Sequence, residues 1–192
     1  MKKILIGTHN QGKLREISFL LSKKIKKISP ISLNINSPKE TGKTFHANAM
    51  LKARYFSLLS DLPVISDDSG LCIKALKGRP GIYSARWAKK YGSFSNAMRF
   101  ILKKMKKKTN RSATFVCCLS LKYPKGKIIT VTGQIKGSIS HKILGNKGFG
   151  YDPIFIPHSE SITFGQMPKS QKIKIDHRYI AFKKIKKRVK IF

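Results

Sequence analysis

Three polar clusters along the chain carry residue types that do chemistry. The first is Thr8-His9-Asn10-Gln11-Gly12-Lys13. A Thr hydroxyl, an Asn amide, a flexible Gly and a Lys where a helix begins suit a polyphosphate, because a helix N-terminus presents free N–H groups and partial positive charge. The same residues also suit a plain strand-to-helix connection. The second is Asp67-Asp68-Ser69-Gly70. Paired acids can hold Mg²⁺ and activate a water, and the next hydroxyl can hold a phosphate oxygen. Asp, Ser and Gly are equally common turn formers, and an adjacent acidic pair arises by chance in roughly one such chain in three. The third is Gly148-Phe149-Gly150-Tyr151-Asp152-Pro153, followed by Lys172 and Asp176-His177-Arg178. Phe149 could stack on a base, and Lys172, His177 and Arg178 could donate to base or phosphate oxygens. The alternative is a Gly-rich loop with a structural aromatic, plus a helix start capped by Asp176.

The elements that must position these clusters follow from patterning. Ile4-Leu5-Ile6-Gly7 reads as a buried strand ending in glycine, so the first cluster leaves its C-terminal end. A helix is expected from Lys13, with Leu14, Ile17, Leu20 and Leu21 at helical spacing. Residues 28–38 read as a strand or loop, and Thr44 as the N-cap of a helix reaching about Leu59. Leu62 to Ile65 is a strand that runs into the acidic cluster as a turn, with Leu71 to Ile73 extended beyond it. Phe94 to Met105 is helical, and Ala113–Leu121 with Lys127–Ile135 form a hairpin about Pro124-Lys125-Gly126. Ile154 to Ile156 is a strand, and Tyr179 to Val189 a basic amphipathic helix. Parallel βαβ units mixed with an antiparallel hairpin predict an α/β fold with a mixed central sheet flanked by helices. There is no internal repeat and no linker, so residues 1–192 read as one domain.

Length and composition limit the function classes. The chain has 192 residues, 41% of them hydrophobic, enough for a core. Its 41 Lys and Arg against 8 Asp and Glu give a net charge of +33. That charge suggests nucleic acid or an anionic membrane surface. However, runs such as Lys23-Lys24-Ile25-Lys26-Lys27 and Lys103-Lys104-Met105-Lys106-Lys107-Lys108 have no interleaved aromatics, and they read as solvated faces. Carboxylates are correspondingly scarce: any carboxylate chemistry must come from Glu16, Glu40, Asp61, Asp67, Asp68, Asp152, Glu160 or Asp176. Three cysteines are too few for a stapled secreted fold; adjacent Cys117 and Cys118, with Cys72, read as reduced packing residues of a cytoplasmic protein. The apolar run after Lys3 stops at Gly7, too short for a signal peptide, and no stretch suits a membrane span.

Singly the clusters are weak, but their order is specific. Together with Glu40-Thr41-Gly42-Lys43-Thr44-Phe45, Asn48-Ala49 with Lys52-Ala53-Arg54, and Pro80-Gly81-Ile82-Tyr83-Ser84-Ala85-Arg86, they span nearly the whole chain. In that order the chain resembles the inosine triphosphate pyrophosphatase family, the bacterial dITP/XTP pyrophosphatases. The resemblance implies a two-lobed α/β fold with the active site in the cleft between the lobes, and a homodimer. It implies Mg²⁺-dependent hydrolysis of dITP, ITP and XTP to the monophosphate and pyrophosphate. Thr8, His9, Asn10, Gln11, Gly12 and Lys13 would then hold the triphosphate. Asp68 would be general base and metal ligand, and Ser69 would contact substrate. Phe149, Gly150, Tyr151 and Asp152 would form the nucleoside pocket, closed by Lys172, His177 and Arg178. The sequence departs from the family at Ala47, where a metal-site Glu is usual, and at His9, Gln171 and Asp176. Two other readings stay open: a weakened relative that keeps nucleotide binding, and a basic nucleic-acid-binding protein on the same fold. No specific nucleic-acid partner and no membrane association are expected.

Overall fold

A computed structural model describes residues 2–189. The apolar run after the first lysines is strand β1 (Lys3–Ile6). It pairs in parallel with β2 (Lys26–Ile28) on one side and with β3 (Val64–Ile73) on the other. The register sets Leu5 against Val64 and Ile6 against Ile65. The connections carry two helices, α1 (Gln11–Leu20) and α2 (Phe45–Ser60). The sheet order is β2-β1-β3-β5-β6-β7, with β4 (Arg79–Pro80) antiparallel to β3. Here β5 is Ser112–Lys122, β6 is Ile128–Ile139, and β7, antiparallel to β6, is Phe155–Pro157. The remaining helices are α3 (Ser84–Lys90), α4 (Phe94–Met105), α5 (Lys169–Lys172) and α6 (His177–Lys186). This is the mixed, helix-flanked sheet expected from the element order.

The chain divides into two compact units, and β3, β5 and β6 contribute residues to both. The first comprises the chain up to Asp68, Cys117–Gly133 and the stretch from Arg178 onward. Its strands bury both faces, as the period of two requires. Ile4 and Ile6 pack with Ile17 and Leu21, with Leu119 of β5, and with Ala181 and Ile185 of α6. Leu5 turns the other way and packs with Val64 on Phe56 of α2. The second unit comprises Ser69–Val116 and Gln134–His177. Its core joins Leu71 and Ile73 to Ala97, Met98 and Ile101 of α4, and to Phe115, Phe155 and Phe164.

Four of the differences from expectation stand out. The acidic cluster is no turn: β3 runs unbroken through Asp67, Asp68, Ser69 and Gly70. Gly70 is required there because a Cβ would stand 2.2 Å from the carbonyl oxygen of Gly81. β2 lies inside a lysine run, where its pairing with β1 overrides poor strand propensity. Helix α3 has only seven residues, too few for a clear period, and was not expected. α1 begins at Gln11, two residues before Lys13, because Asn10 caps it by accepting from the Lys13 backbone N–H at 3.1 Å.

Candidate active site

In the first unit the C-terminal end of β1 lies beside the first residues of its parallel neighbour β3, and the carboxyl end of a strand such as β1 is the usual place for ligands in parallel sheets. Gly7 N–H donates to the Ile65 carbonyl at 2.8 Å, and a Cβ on Gly7 would meet Ser66 Oγ at 2.1 Å. That close approach brings the Thr8–Lys13 segment beside Asp67 and Asp68. Thr8 is buried at the end of β1 and its Oγ1 accepts from the Asn10 backbone N–H. Gln11 is exposed at the start of α1, and Gly12 is buried in its first turn. His9 is half-buried, with Nδ1 2.5 Å from Ser37 Oγ.

The two aspartates are treated differently. Asp67 is fully buried and faces Lys13 Nζ at 3.2 Å and Arg178 Nη2 at 3.2 Å. Burial alone would push its carboxyl up, but Lys13, Arg178 and Lys52 overcome that and hold it well below the usual carboxylate range. Asp68 accepts from Asn48 Nδ2 at 3.1 Å, and Lys52 Nζ lies 3.7 Å from its other oxygen. Burial raises the Asp68 carboxyl; Lys52 and Lys13 oppose this and Glu40 adds to it, leaving a net rise. Asn48 is itself oriented, since its Oδ1 accepts from the Gly42 backbone N–H at 2.8 Å. Lys52 Nζ also sits 2.5 Å from Glu40 Oε1, and its ammonium is held charged by Asp68, Asp67 and Glu40 against the cost of burial.

Arg178 is 1% exposed and lies in this unit, where Nη1 bonds Glu16 Oε2 and Nη2 reaches Asp67. Glu16 thus joins α1 to the start of α6 through one guanidinium.

The second unit holds the remaining candidates. Ser69 is half-buried on β3. In the loop before β7, Asp152 Oδ2 accepts from the Phe149 backbone N–H at 2.8 Å and pairs with Lys172 Nζ at 2.6 Å. Gly148 has φ +74°, and a Cβ there would lie 2.1 Å from Asp152 Oδ2, so glycine is needed for this turn. Lys172 Nζ sits 5.1 Å from the Phe149 ring centroid and 5.4 Å from that of Phe164. Tyr151 donates its hydroxyl to the Ser84 carbonyl at 2.9 Å. His177 is buried and stacks on Phe115 with centroids 4.8 Å apart. Phe149, Gly150, Tyr151, Asp152 and Lys172 are thus one local cluster, with Asp152 as its hinge pin.

The profile of the Ham1 family matches residues 4–188. The chain belongs to the Ham1 family. It is 40% identical over 186 residues to the dITP/XTP pyrophosphatase of Caulobacter vibrioides, covering 96% of each chain. It is 41% identical to that of Oceanobacillus iheyensis, covering 97% of this chain and 98% of the relative. Among solved structures it is similar to a HAM1 protein from Coxiella burnetii (TM-score 0.87, 33% identity, 97% and 98% coverage). It is also similar to the Ham1 protein of Staphylococcus aureus (TM-score 0.86, 36% identity, 97% of both chains). The family drawn from the motif order is therefore the one shown.

Sequence reasoning left Glu16 and Lys52 without roles and gave Arg178 only a role toward substrate. Glu16 follows Lys13 by three residues and Lys52 follows Asn48 by four, so each shares a helix face with a residue already singled out. That spacing was the signal available. Among the described residues, no group of three or more His, Cys, Asp and Glu forms a protein cage for a metal. What does fit a divalent cation is the pair of carboxylates, Asp68 and Glu40, gathered about one positive charge at Lys52. Mg²⁺ is usually held by one or two carboxylates, with waters and substrate phosphates completing the shell. Ala47 is exposed near the start of α2 and adds no ligand.

Proposed function

We propose that this chain hydrolyses deaminated purine nucleoside triphosphates, dITP, ITP and XTP, to the monophosphate and pyrophosphate. The carrying observation is the division of labour between Asp67 and Asp68. Adjacent carboxyls with environments that push their proton affinities apart mark an acid–base assignment. Asp67 is fixed as the counter-ion of Lys13 and Arg178. Burial raises the Asp68 carboxyl while Asn48 holds one of its oxygens and Lys52 approaches the other, which suits an oriented base that takes a proton from water.

In this reading Asp68 takes the proton of a water whose oxygen bonds to the α-phosphorus, while the bond from that phosphorus to the bridging oxygen breaks and pyrophosphate leaves. Lys13 and the Thr8–Gly12 segment hold the phosphates. Asp68 and Glu40 would hold Mg²⁺, which when bound supplies charge neutralisation on the phosphate oxygens. In the second unit Phe149 offers a ring face to the base, and Lys172 and His177 offer donors. Hypoxanthine and xanthine present a keto oxygen where adenine presents an amino group, so donors aimed there favour the former. A buried donor left unmet costs about 1–3 kcal/mol, or roughly 5- to 150-fold in discrimination. The same reading takes the protein to act as a homodimer in the cytoplasm; among the described residues no helix is long and apolar enough to cross a membrane.

The test is product identity. ITP incubated with the protein and Mg²⁺ is expected to give IMP and pyrophosphate in equal amounts. IDP with inorganic phosphate, or no turnover with ITP bound, would overturn the reading in favour of another phosphatase chemistry or of a binding protein.

A further inference from the structure

The basic stretches that look purely solvated in the sequence meet aromatic rings in the second unit. A cavity of about 770 Å³ is walled by Trp87 and Tyr91 of α3 and its C-terminal end and by Phe100 of α4, with Tyr83 exposed at its side. Tyr91 and Phe100 stack with centroids 4.5 Å apart, and Trp87 meets Phe100 edge-on at 5.5 Å. Cations line the same cavity: Lys77, Arg79, Lys90, Lys104 and Lys108. Two of them already lie over the rings, Lys90 at 5.8 Å from Tyr91 and Lys104 at 5.6 Å from Phe100. Between Lys74 and Lys108 the chain carries twelve Lys and Arg and no Asp or Glu. None of these residues belongs to the phosphate, metal or nucleoside clusters described above.

We propose that this cavity binds a segment of single-stranded nucleic acid, with a base against the Trp87–Tyr91–Phe100 rings and neighbouring phosphates on the surrounding cations. Single strands are held by this combination of stacking platform and positive groove, whereas a duplex keeps its base faces inside. The volume falls in the range of about 300–1,000 Å³ typical of small-molecule sites, room for one base with its sugar. The charge chooses among occupants. A second copy would set this uncompensated positive face against positive charge. A membrane would want rings that project, and here Trp87, Tyr91 and Phe100 are half-buried in a concavity.

The chain has one tryptophan, Trp87, so the site carries its own probe. A short oligothymidylate titrated into the full chain should change Trp87 emission. Five phosphate contacts predict a salt slope near −3.5, a loss of about 100-fold between about 50 and 200 mM salt. Lys104→Glu with Lys108→Glu should lower that slope by about 1.4 and weaken binding at least about tenfold. Lys23→Glu with Lys24→Glu, the same charge change on an exposed run of the first unit, should stay within about threefold. ITP hydrolysis should be unchanged in both variants. The proposal is overturned if the two pairs lose affinity equally, which would make binding a matter of net charge. It is also overturned if the oligonucleotide binds with Trp87 emission unchanged, if vesicles rich in phosphatidylglycerol shift Trp87 and the oligonucleotide does not, or if Lys104→Glu with Lys108→Glu changes the oligomeric state. Because Trp87→Ala can loosen the packing of α3 on α4, Trp87→Phe serves as the stacking-competent control and should keep at least half of the binding affinity by anisotropy.

Discussion

Replacing Arg178 by Met removes the charge that Glu16 and Asp67 share while keeping much of the side-chain volume. Arg178 and Asp67 are 1% and 0% exposed, and Glu16 is 8% exposed, so water cannot substitute for the guanidinium. Removing one partner of a buried pair typically costs about 3–5 kcal/mol, because a buried charge is left behind. Lys13 remains 3.2 Å from Asp67, which favours the lower end, about 3 kcal/mol. For a chain of this size each kcal/mol lowers Tm by about 2–4 °C, so a fall of about 6–12 °C is expected. The pH dependence separates electrostatics from packing. The native Asp67 carboxyl is held below its unfolded value of about 3.9, so its contribution is fully present above that pH and is lost as the pH falls toward the native value. Arg178→Met raises the native value and removes the share of that contribution that Arg178 supplies, while Lys13 and Lys52 keep theirs. The stability gap between the two proteins should therefore be constant from about pH 7 to 5 and narrow below about pH 4. Urea melts across that range measure it. A gap under about 1 kcal/mol at neutral pH, or one that does not narrow in acid, would refute a buried electrostatic role for Arg178. Should Arg178 instead serve substrate alone, stability would hold and only the preference for ITP over ATP would fall.

Three further outcomes are expected. Asp68→Asn should lower ITP hydrolysis by at least about 100-fold with ITP binding retained, since an amide cannot take the water's proton; stopped-flow turnover with parallel binding isotherms checks this, and turnover within about threefold of wild type would remove Asp68 from the mechanism. Ala47→Glu should lower the Mg²⁺ needed for half-maximal ITP hydrolysis by about tenfold or more, read by Mg²⁺ titration at fixed ITP, because the exposed start of α2 gains a carboxylate. Lys172→Met should leave Asp152 buried without its 2.6 Å partner and free the Phe149 turn, raising KM for ITP more than it lowers kcat and lowering Tm.

The sequence was most legible where local chemistry decides the outcome. Thr44 caps its helix as its side chain allows, and Ile4, Leu5 and Ile6 alternate faces as a doubly covered strand must. It was least legible where a tertiary partner overrides local preference. Asp67-Asp68-Ser69-Gly70 has turn composition, yet it is strand because β1 pairs with the start of β3 and β4 with its end. The fate of Arg178 could not be read locally either, since its partners Asp67 and Glu16 lie 111 and 162 residues away. Likewise Trp87 and Tyr91 are separated from Phe100 along the chain, and only packing of α3 against α4 brings these rings together, whereas Phe100 and Lys104 share one face of α4 at i,i+4 spacing.

Selectivity between keto and amino purines separates a pyrophosphatase for deaminated nucleotides from a general nucleotide hydrolase. Pyrophosphate release should be followed for ITP, XTP, ATP and GTP under identical Mg²⁺, and kcat/KM compared. ITP and XTP should exceed ATP by at least about tenfold, the consequence of donors that pair with a keto oxygen and are left unmet by an amino group. Equal kcat/KM for ITP and ATP would contradict it.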